Sequence, residues 1–102
     1  MANNITNKQI FDLIKMAKQV ENGMNNSDVL TIETLDNMST MLMYFRKFLL
    51  IDIDQEGDLD LGLTIAQDII SNPSTSNEEK VRISNKMRFE FHLALKTSGI
   101  EI

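Results

Sequence analysis

Acidic side chains alternate with other residues in one stretch near the middle of the chain, LIDIDQEGDLDLGL, residues 50–63. The five carboxylates belong to Asp52, Asp54, Glu56, Asp58 and Asp60. Residues 52–60 contain no basic residue and are referred to below as the acidic segment. Carboxylate oxygens bind hard cations such as Mg²⁺ and Ca²⁺, and an acidic surface attracts a basic protein surface. The segment is therefore a candidate ion site or a candidate contact site for a cationic partner.

The acidic segment resembles the calcium-binding loop of EF-hand proteins. In that family, positions 1, 3, 5, 7 and 9 of a twelve-residue loop supply oxygen ligands, and position 12 is a bidentate glutamate. Position 6 is glycine and position 8 is apolar. The residues that match are Asp52, Asp54, Glu56, Gly57, Leu59 and Asp60. Position 12 is Leu63, so the clamping carboxylate is missing. We therefore expect no metal or cofactor, and a degenerate EF-hand-like module at 52–63 that binds Ca²⁺ through the five carboxylates is the alternative.

Two other conformations fit the same residues. The alternation in IDID and DLDLGL is typical of a β-hairpin, with Gly57 in a left-handed conformation within a three-residue QEG turn. A helix end, an acidic loop and a new helix fit as well, with Asp58 or Asp60 as the N-cap. The sequence leaves these alternatives open. In each of them the carboxylates stay uncompensated, so we expect the segment to attract cations or a basic partner.

The last helix carries apolar residues on two sides when successive residues are placed 100° apart. The stripe expected to face the core consists of Ile83, Met87, Phe91, Ala94 and Leu95. Phe89 and Leu93 lie on the opposite side, together with three basic residues, Arg82, Lys86 and Lys96. An apolar pair with a basic rim is typical of a protein interface. These five residues are the predicted partner-binding surface, unless they are scattered exposed side chains or the N-terminal arm covers them.

The elements that position these residues are helices. Apolar periodicity predicts a single all-α domain over 1–102, a small bundle of about four helices with a short β-hairpin or acidic loop at 51–63. The predicted helices span about 7–22, 31–51, 60–71 and 77–98. The second has an apolar arc wide enough to be buried on more than one side, so we expect it at the centre of the core.

The helix ends are marked by capping residues. Thr6 with Gln9 and Ser76 with Glu79 each match the capping-box pattern. Gly23 is predicted to end the first helix, and Gly99 is predicted to end the last one as part of a Schellman motif. Two further apolar contacts are predicted at these ends: Ile5 with Ile10, and Ile100 with Leu95.

Composition excludes several classes of protein. There is no cysteine, so disulfides, thiolate metal sites and cysteine nucleophiles are excluded, which suits a cytoplasmic protein. His92 is the only histidine, and we expect it to be an ordinary surface or partly buried residue. The net charge of −5 argues against broad nucleic-acid binding. The longest apolar run is about half the roughly 20 residues that span a bilayer, and the N-terminus lacks the apolar core of a signal peptide. We expect neither a membrane protein nor an enzyme.

These observations favour a small non-enzymatic helical protein that acts through protein–protein contact, as an accessory factor or an inhibitor. The frequent use of Asn, Ile and Met is common in AT-rich genomes, including those of many phages, so a phage origin is part of the expectation. We also expect weak self-association through Phe89 and Leu93. The alternatives are the metal-dependent module at 52–63 and a nucleic-acid-binding protein that uses the basic face of the last helix.

Overall fold

The computed structural model describes residues 6–48 and 50–99. They form four helices: α1 (Asn7–Asn25), α2 (Ile32–Lys47), α3 (Ile53–Ser71) and α4 (Asn77–Ser98). Those two ranges contain no strand. The predicted all-α bundle of four helices is confirmed.

Successive helices run in opposite directions. Between α2 and α3, Gln67 Nε2 donates to Asp36 Oδ1 over 2.9 Å, while Arg46 lies 3.6 Å from Glu56 near the other end. Because the earlier residue of α2 meets the later residue of α3, the pair is antiparallel. The α1–α2 and α3–α4 pairs show the same reversed order, and α4 also reaches the C-terminal end of α1. The topology is up–down–up–down.

The core runs through the middle of the bundle. Phe45 of α2 stacks on Phe91 of α4, with ring centroids 6.3 Å apart. Met38, Met41 and Met87 are fully buried in the same core cluster, where an unbranched side chain can fill irregular space. The predicted core stripe of α4 is confirmed, since Ile83, Met87, Phe91, Ala94 and Leu95 are all buried. The centre of α2 is buried as predicted, by Leu35, Met38, Met41, Leu42 and Phe45.

The predicted N-caps of α1 and α4 are both present. Thr6 Oγ1 accepts from the Gln9 N–H over 3.1 Å, and Gln9 Oε1 accepts from the Thr6 N–H over 2.9 Å, which completes the capping box. At α4, Ser76 Oγ accepts from the Glu79 N–H over 3.2 Å. The Glu79 carboxylate accepts two hydrogen bonds from Arg82 instead of one from the Ser76 N–H, so only the serine half of the predicted capping box forms.

The C-terminal ends differ more from the predictions. Helix α1 continues past Gly23 to Asn25, and the glycine is needed for a different reason: a Cβ there would lie 2.7 Å from Thr34 Oγ1. Helix α2 ends at Lys47, four residues before its predicted end, because the chain must reverse before α3. Gly99 has φ of +78°, as expected for the residue that ends α4. The predicted contacts of Ile5 and Ile100 lie outside the described residues.

The predicted hairpin or loop over 51–63 is wrong, because α3 begins at Ile53 and not near residue 60. The N-cap is Asp52, whose Oδ1 accepts from the Gln55 N–H over 2.7 Å, and neither Asp58 nor Asp60 has this role. Leu59, Leu63 and Ala66 are buried at helical spacing, so the core stripe of α3 starts inside the acidic segment. Carboxylates in the first turn also favour the positive end of the helix dipole. The alternation therefore does not reflect a strand.

A candidate protein-contact face on helices α3 and α4

The outer side of α4 is uncovered in the described part of the chain. Phe89 is 65% exposed and Leu93 is 44% exposed, although both are large apolar residues. Their exposure follows from the helical period, because one side of α4 packs in the core and these two residues lie on the opposite side. The structure thus places both residues on the surface, as the sequence analysis expected. Cover by the N-terminal arm, residues 1–5, concerns residues outside the described ranges.

Helix α3 adds two exposed apolar residues beside them, Leu61 at 61% and Ile65 at 45%. Gly62 faces α4, since a Cβ on it would lie 3.3 Å from Met87 Sδ and 3.8 Å from Glu90 Oε1. Helical geometry then places Leu61 and Ile65 on the solvent side of that contact. We refer to Leu61, Ile65, Phe89 and Leu93 as the outer face. The α3 half of this face was not predicted, although Leu61 and Ile65 lie in the predicted helix 60–71, because their position beside α4 depends on tertiary packing.

A groove of about 450 Å³ separates the two helices at the N-terminal end of α3. Its lining includes four carboxylates and two leucines, from Asp52, Asp54, Asp58, Glu90, Leu59 and Leu93, and Gln55 completes it. The lining contains no basic residue, so the surroundings of Leu93 on this side are acidic. The sequence predicted a basic rim alone, because the proximity of the acidic segment to Leu93 depends on tertiary packing.

The basic rim is only partly available. Arg82 donates from Nε to Glu79 Oε1 over 2.6 Å and from Nη2 to Oε2 over 2.7 Å. This side-chain hydrogen bonding lowers the pKa of Glu79 and raises the pKa of Arg82, because it favours the charged form of each. Lys86 and Lys96 are exposed and form no ion pair within residues 6–48 and 50–99. The two lysines are therefore the cations that the rim offers to a partner.

Arg88, another basic residue of α4, has a structural role that the sequence did not indicate. Its Nε donates to the carbonyl oxygen of Met24 over 2.6 Å, and its Nη2 donates to the carbonyl oxygens of Ser27 and Asp28, the latter over 2.8 Å. Nη1 donates to Asn85 Oδ1 over 2.6 Å. Arg88 thus ties the α1–α2 connection to α4 and is not a free cation.

Ser84 acts one turn before Arg88. It is fully buried, and its Oγ accepts from the N–H of Leu30 over 2.9 Å. The Ser84 hydroxyl thereby satisfies the buried N–H of Leu30, which lies in the connection between α1 and α2. A serine within an apolar stripe was the available sequence signal, since Ser84 lies between Ile83 and Met87 on the buried side.

The acidic segment does not form a converging set of ligands. Asp54 and Asp58 border the groove next to α4, whereas Glu56 points to α2, where it lies 3.6 Å from Arg46 and is largely buried. No group of three or more His, Asp or Glu residues is arranged around a common metal position in the described ranges. Because residues 53–60 are helical, they do not have the turned backbone of an EF-hand loop.

A second groove, of about 500 Å³, lies between α1 and α4. Its lining includes Glu21, Met24, Arg88, Phe89 and His92. His92 is exposed there, as predicted for an ordinary surface histidine. Phe89 borders this groove while Leu93 borders the acidic one, so the two residues form the rim between the grooves.

Comparison with known proteins gives no relative for this chain: no family model matches it, and no curated protein or solved structure is similar to it. None of the helices in the described part of the chain is both long enough and apolar enough to cross a membrane. The outer face and its surroundings are therefore the features of this chain that point to a function.

Proposed function

We propose that the protein is a small, non-enzymatic, cytoplasmic protein that acts through protein–protein contact at the outer face, as an accessory factor or an inhibitor. The observation that carries this proposal is the exposure of four large apolar residues on two adjacent helices, Leu61, Ile65, Phe89 and Leu93. Helical geometry and the contact of Gly62 with α4 place them on the same side of the bundle. An apolar patch of this kind with a polar border is typical of a protein interaction site. The lack of cysteine supports the cytoplasmic location, and the frequent use of Asn, Ile and Met supports a phage origin.

The residue types suit binding more than chemistry. Phe89 offers a large apolar surface whose burial against a partner is favourable, at about 25 cal/mol per Å². Lys86 and Lys96 on α4 and Asp54 and Asp58 on α3 border the apolar residues, and such charges give orientation and specificity to an interface.

No specific observation favours either alternative function, nucleic-acid binding or a calcium-dependent module. For nucleic-acid binding, the basic face of α4 provides two unpaired lysines, because Arg82 pairs with Glu79 and Arg88 binds backbone carbonyls. Affinity for phosphates depends on the number of such cations. For a calcium-dependent module, the carboxylates of the acidic segment point to different sides of α3. Protein–protein contact thus remains the best-supported function.

A site-specific crosslinking experiment tests the proposal. A photo-crosslinking phenylalanine analogue is introduced at Phe89 in cells that make the protein, and at Phe11 of α1 as a matched control. The control is close, because Phe11 is 66% exposed and Phe89 is 65% exposed. We expect discrete crosslinked species from position 89, including any between two copies, and none from position 11. Equal yields from both positions, or none from position 89, would contradict the proposed contact face.

A further inference from the structure

We propose that the outer face binds a second copy of this chain, forming a two-fold dimer whose axis runs parallel to α3 and α4. This inference rests on the proposed function, since it names the partner of the same face. It is carried by a charge pattern that is repeated with opposite sign on the two helices.

The exposed ridge of α3 is acidic and apolar. Its residues follow the spacing i, i+4, i+7, i+11, i+14 and are Asp54, Asp58, Leu61, Ile65 and Asp68. At 100° per residue they lie within about 80° of one another, on one side of the helix. Residues 53–71 contain no lysine or arginine, so nothing on α3 itself balances these carboxylates.

The exposed ridge of α4 has the same spacing and the opposite charge. Its residues are Arg82, Lys86, Phe89, Leu93 and Lys96. In chain order, each ridge thus begins with two charged residues, continues with two apolar residues and ends with one charged residue. None of the three ridge carboxylates pairs with a base of α4 in the described protomer, although the helices are neighbours. The three carboxylates and the two lysines, Lys86 and Lys96, remain available to another molecule, whereas Arg82 already pairs with Glu79.

The packing of α3 on α4 places the two ridges in register. Gly62 meets Met87 and Glu90, so position 62 of α3 is level with about position 88 or 89 of α4. Because the helices are antiparallel and both rise about 1.5 Å per residue, Asp54 is then level with Lys96 and Leu61 with Phe89. Asp68 is level with Arg82 by the same count, whereas Asp58 is level with Leu93 and Ile65 with Lys86. Opposite charges therefore share a level only at the two ends of the ridges.

A two-fold axis parallel to the helices preserves these levels while it places α3 of one protomer opposite α4 of the other. Asp54 then faces the partner's Lys96, Leu61 faces the partner's Phe89, and each contact occurs twice. An axis perpendicular to the helices would place α3 against α3, where carboxylates would repel one another. Charge complementarity therefore selects the parallel axis.

The dimer should be weak, because the two ridges of each protomer provide ten residues. Each side of a standard interface contributes roughly 20–30 residues. Sedimentation of the full chain over a range of concentrations up to about 1 mM should show a reversible monomer–dimer equilibrium. We expect Phe89→Asp to raise the dissociation constant at least about tenfold, while Phe11→Asp changes it by less than about twofold. Circular dichroism confirms that each variant is folded.

A charge exchange tests the pairing between subunits. Asp54→Lys alone and Lys96→Asp alone should each weaken the dimer, because each places like charges opposite one another. The double variant restores opposite charges at both symmetric contacts and should recover most of the wild-type affinity. Recovery in the double variant is specific to this pair, and its failure would overturn the assigned register.

Cysteine crosslinking tests the axis directly, and the chain offers a clean background because it contains no cysteine. Asp54→Cys protein is mixed with Lys96→Cys protein and oxidised. The proposed axis brings the two positions together across the interface, within reach of a disulfide. We expect mixed dimers in excess over either homodimer. An excess of Asp54→Cys homodimers would indicate that α3 packs on α3 and would overturn the proposal.

The outcomes separate this inference from the proposed function. A chain that stays monomeric at every concentration, while position 89 still crosslinks to a different protein, overturns the dimer and leaves the contact face in place. A dimer that Phe89→Asp does not weaken also overturns the inference. If position 89 yields no crosslink of any kind, both proposals fail.

Discussion

The two sides of α4 illustrate how differently similar residues can be used. On the side that faces the α1–α2 connection, Ser84 and Arg88 satisfy backbone groups of four residues, 24, 27, 28 and 30. On the outer side, Phe89 and Leu93 are exposed and the lysines near them have no partner in the described residues. One side is closed by the protomer itself, and the other is available for binding. Which residues of a helix are available to a partner therefore depends on the neighbouring elements as well as on residue type.

Arg82 and Arg88 provide the sharpest form of this comparison, and they give the largest expected effect. We expect Arg88→Met to lower the free energy of unfolding by about 2 kcal/mol or more, because hydrogen bonds to a charged group contribute about 1.5–3 kcal/mol and their loss leaves carbonyls of the connection unpaired. We expect Arg82→Met to have the small effect of an ordinary surface substitution. Urea denaturation of the two variants measures both values.

Arg88→Lys serves as the control for charge. It keeps the positive charge but lacks the planar group that reaches several carbonyls at once, so its stability should lie between those of wild type and Arg88→Met. Equal stability of Arg82→Met and Arg88→Met would show that the contacts of Arg88 do not hold the connection, and the comparison would then be wrong.

Two glycines extend the comparison to backbone positions, with effects of about 1 kcal/mol. Gly57 lies on α3, and a Cβ on it would meet no atom within 4 Å beyond its chain neighbours and the backbone of its own helix, so Gly57→Ala should stabilise the protein by about 0.5–1 kcal/mol through helix propensity. Gly23→Ala gains the same propensity but places its Cβ 2.7 Å from Thr34 Oγ1. Overpacking of this kind costs about 1–3 kcal/mol, so we expect net destabilisation. Thermal or urea unfolding of the two variants measures the sign of each change in stability.

A second substitution isolates the cause at Gly23. Adding Thr34→Ala to Gly23→Ala removes the close contact, so the double variant should be more stable than the sum of the single effects predicts. The sign at Gly57 also decides the conformation of the acidic segment. In a calcium loop or a hairpin turn this glycine would adopt a conformation that alanine disfavours, so destabilisation by Gly57→Ala would contradict the helical start of α3.

Local signals predicted much of the fold. The capping box at Thr6, the cap at Ser76 and the final Gly99 each depend on a few neighbouring residues, and all three are present. The start of α3 was missed because its acidic segment alternates like a strand, although Leu59, Leu63 and Ala66 form a helical stripe. This part of the chain is compatible both with the period of two that is typical of a strand and with the period of a helix. Which conformation forms depends on the residues that the neighbouring helices bury.

The candidate site was also predictable only where local signals are sufficient. The exposure of Phe89 and Leu93 follows from the period of one helix, so the sequence was sufficient. The contribution of Leu61 and Ile65 required the packing of α3 against α4, since both residues already lie in the helix predicted at 60–71. The binding of Arg88 to carbonyls about 60 residues away is a tertiary contact with no local signal. Residues within one helix were thus predictable, and pairings between helices were not.

The ion pair of Arg82 with Glu79 gives the smallest expected effect, and it tests whether the outer side is as open as proposed. Hydrogen bonding by Arg82 lowers the pKa of Glu79 in the folded state. The contribution of the pair to stability is therefore present above the pKa of Glu79 in the unfolded chain and is lost as the pH falls through the lower folded-state pKa. Arg82→Met should raise the pKa of Glu79 toward its usual range, while Arg88→Met should leave it unchanged. NMR titration of the Glu79 side chain measures this pKa. If Arg88→Met shifted the Glu79 pKa as much as Arg82→Met does, the two sides of α4 would be coupled, and Arg82 would belong to the closed side of the helix.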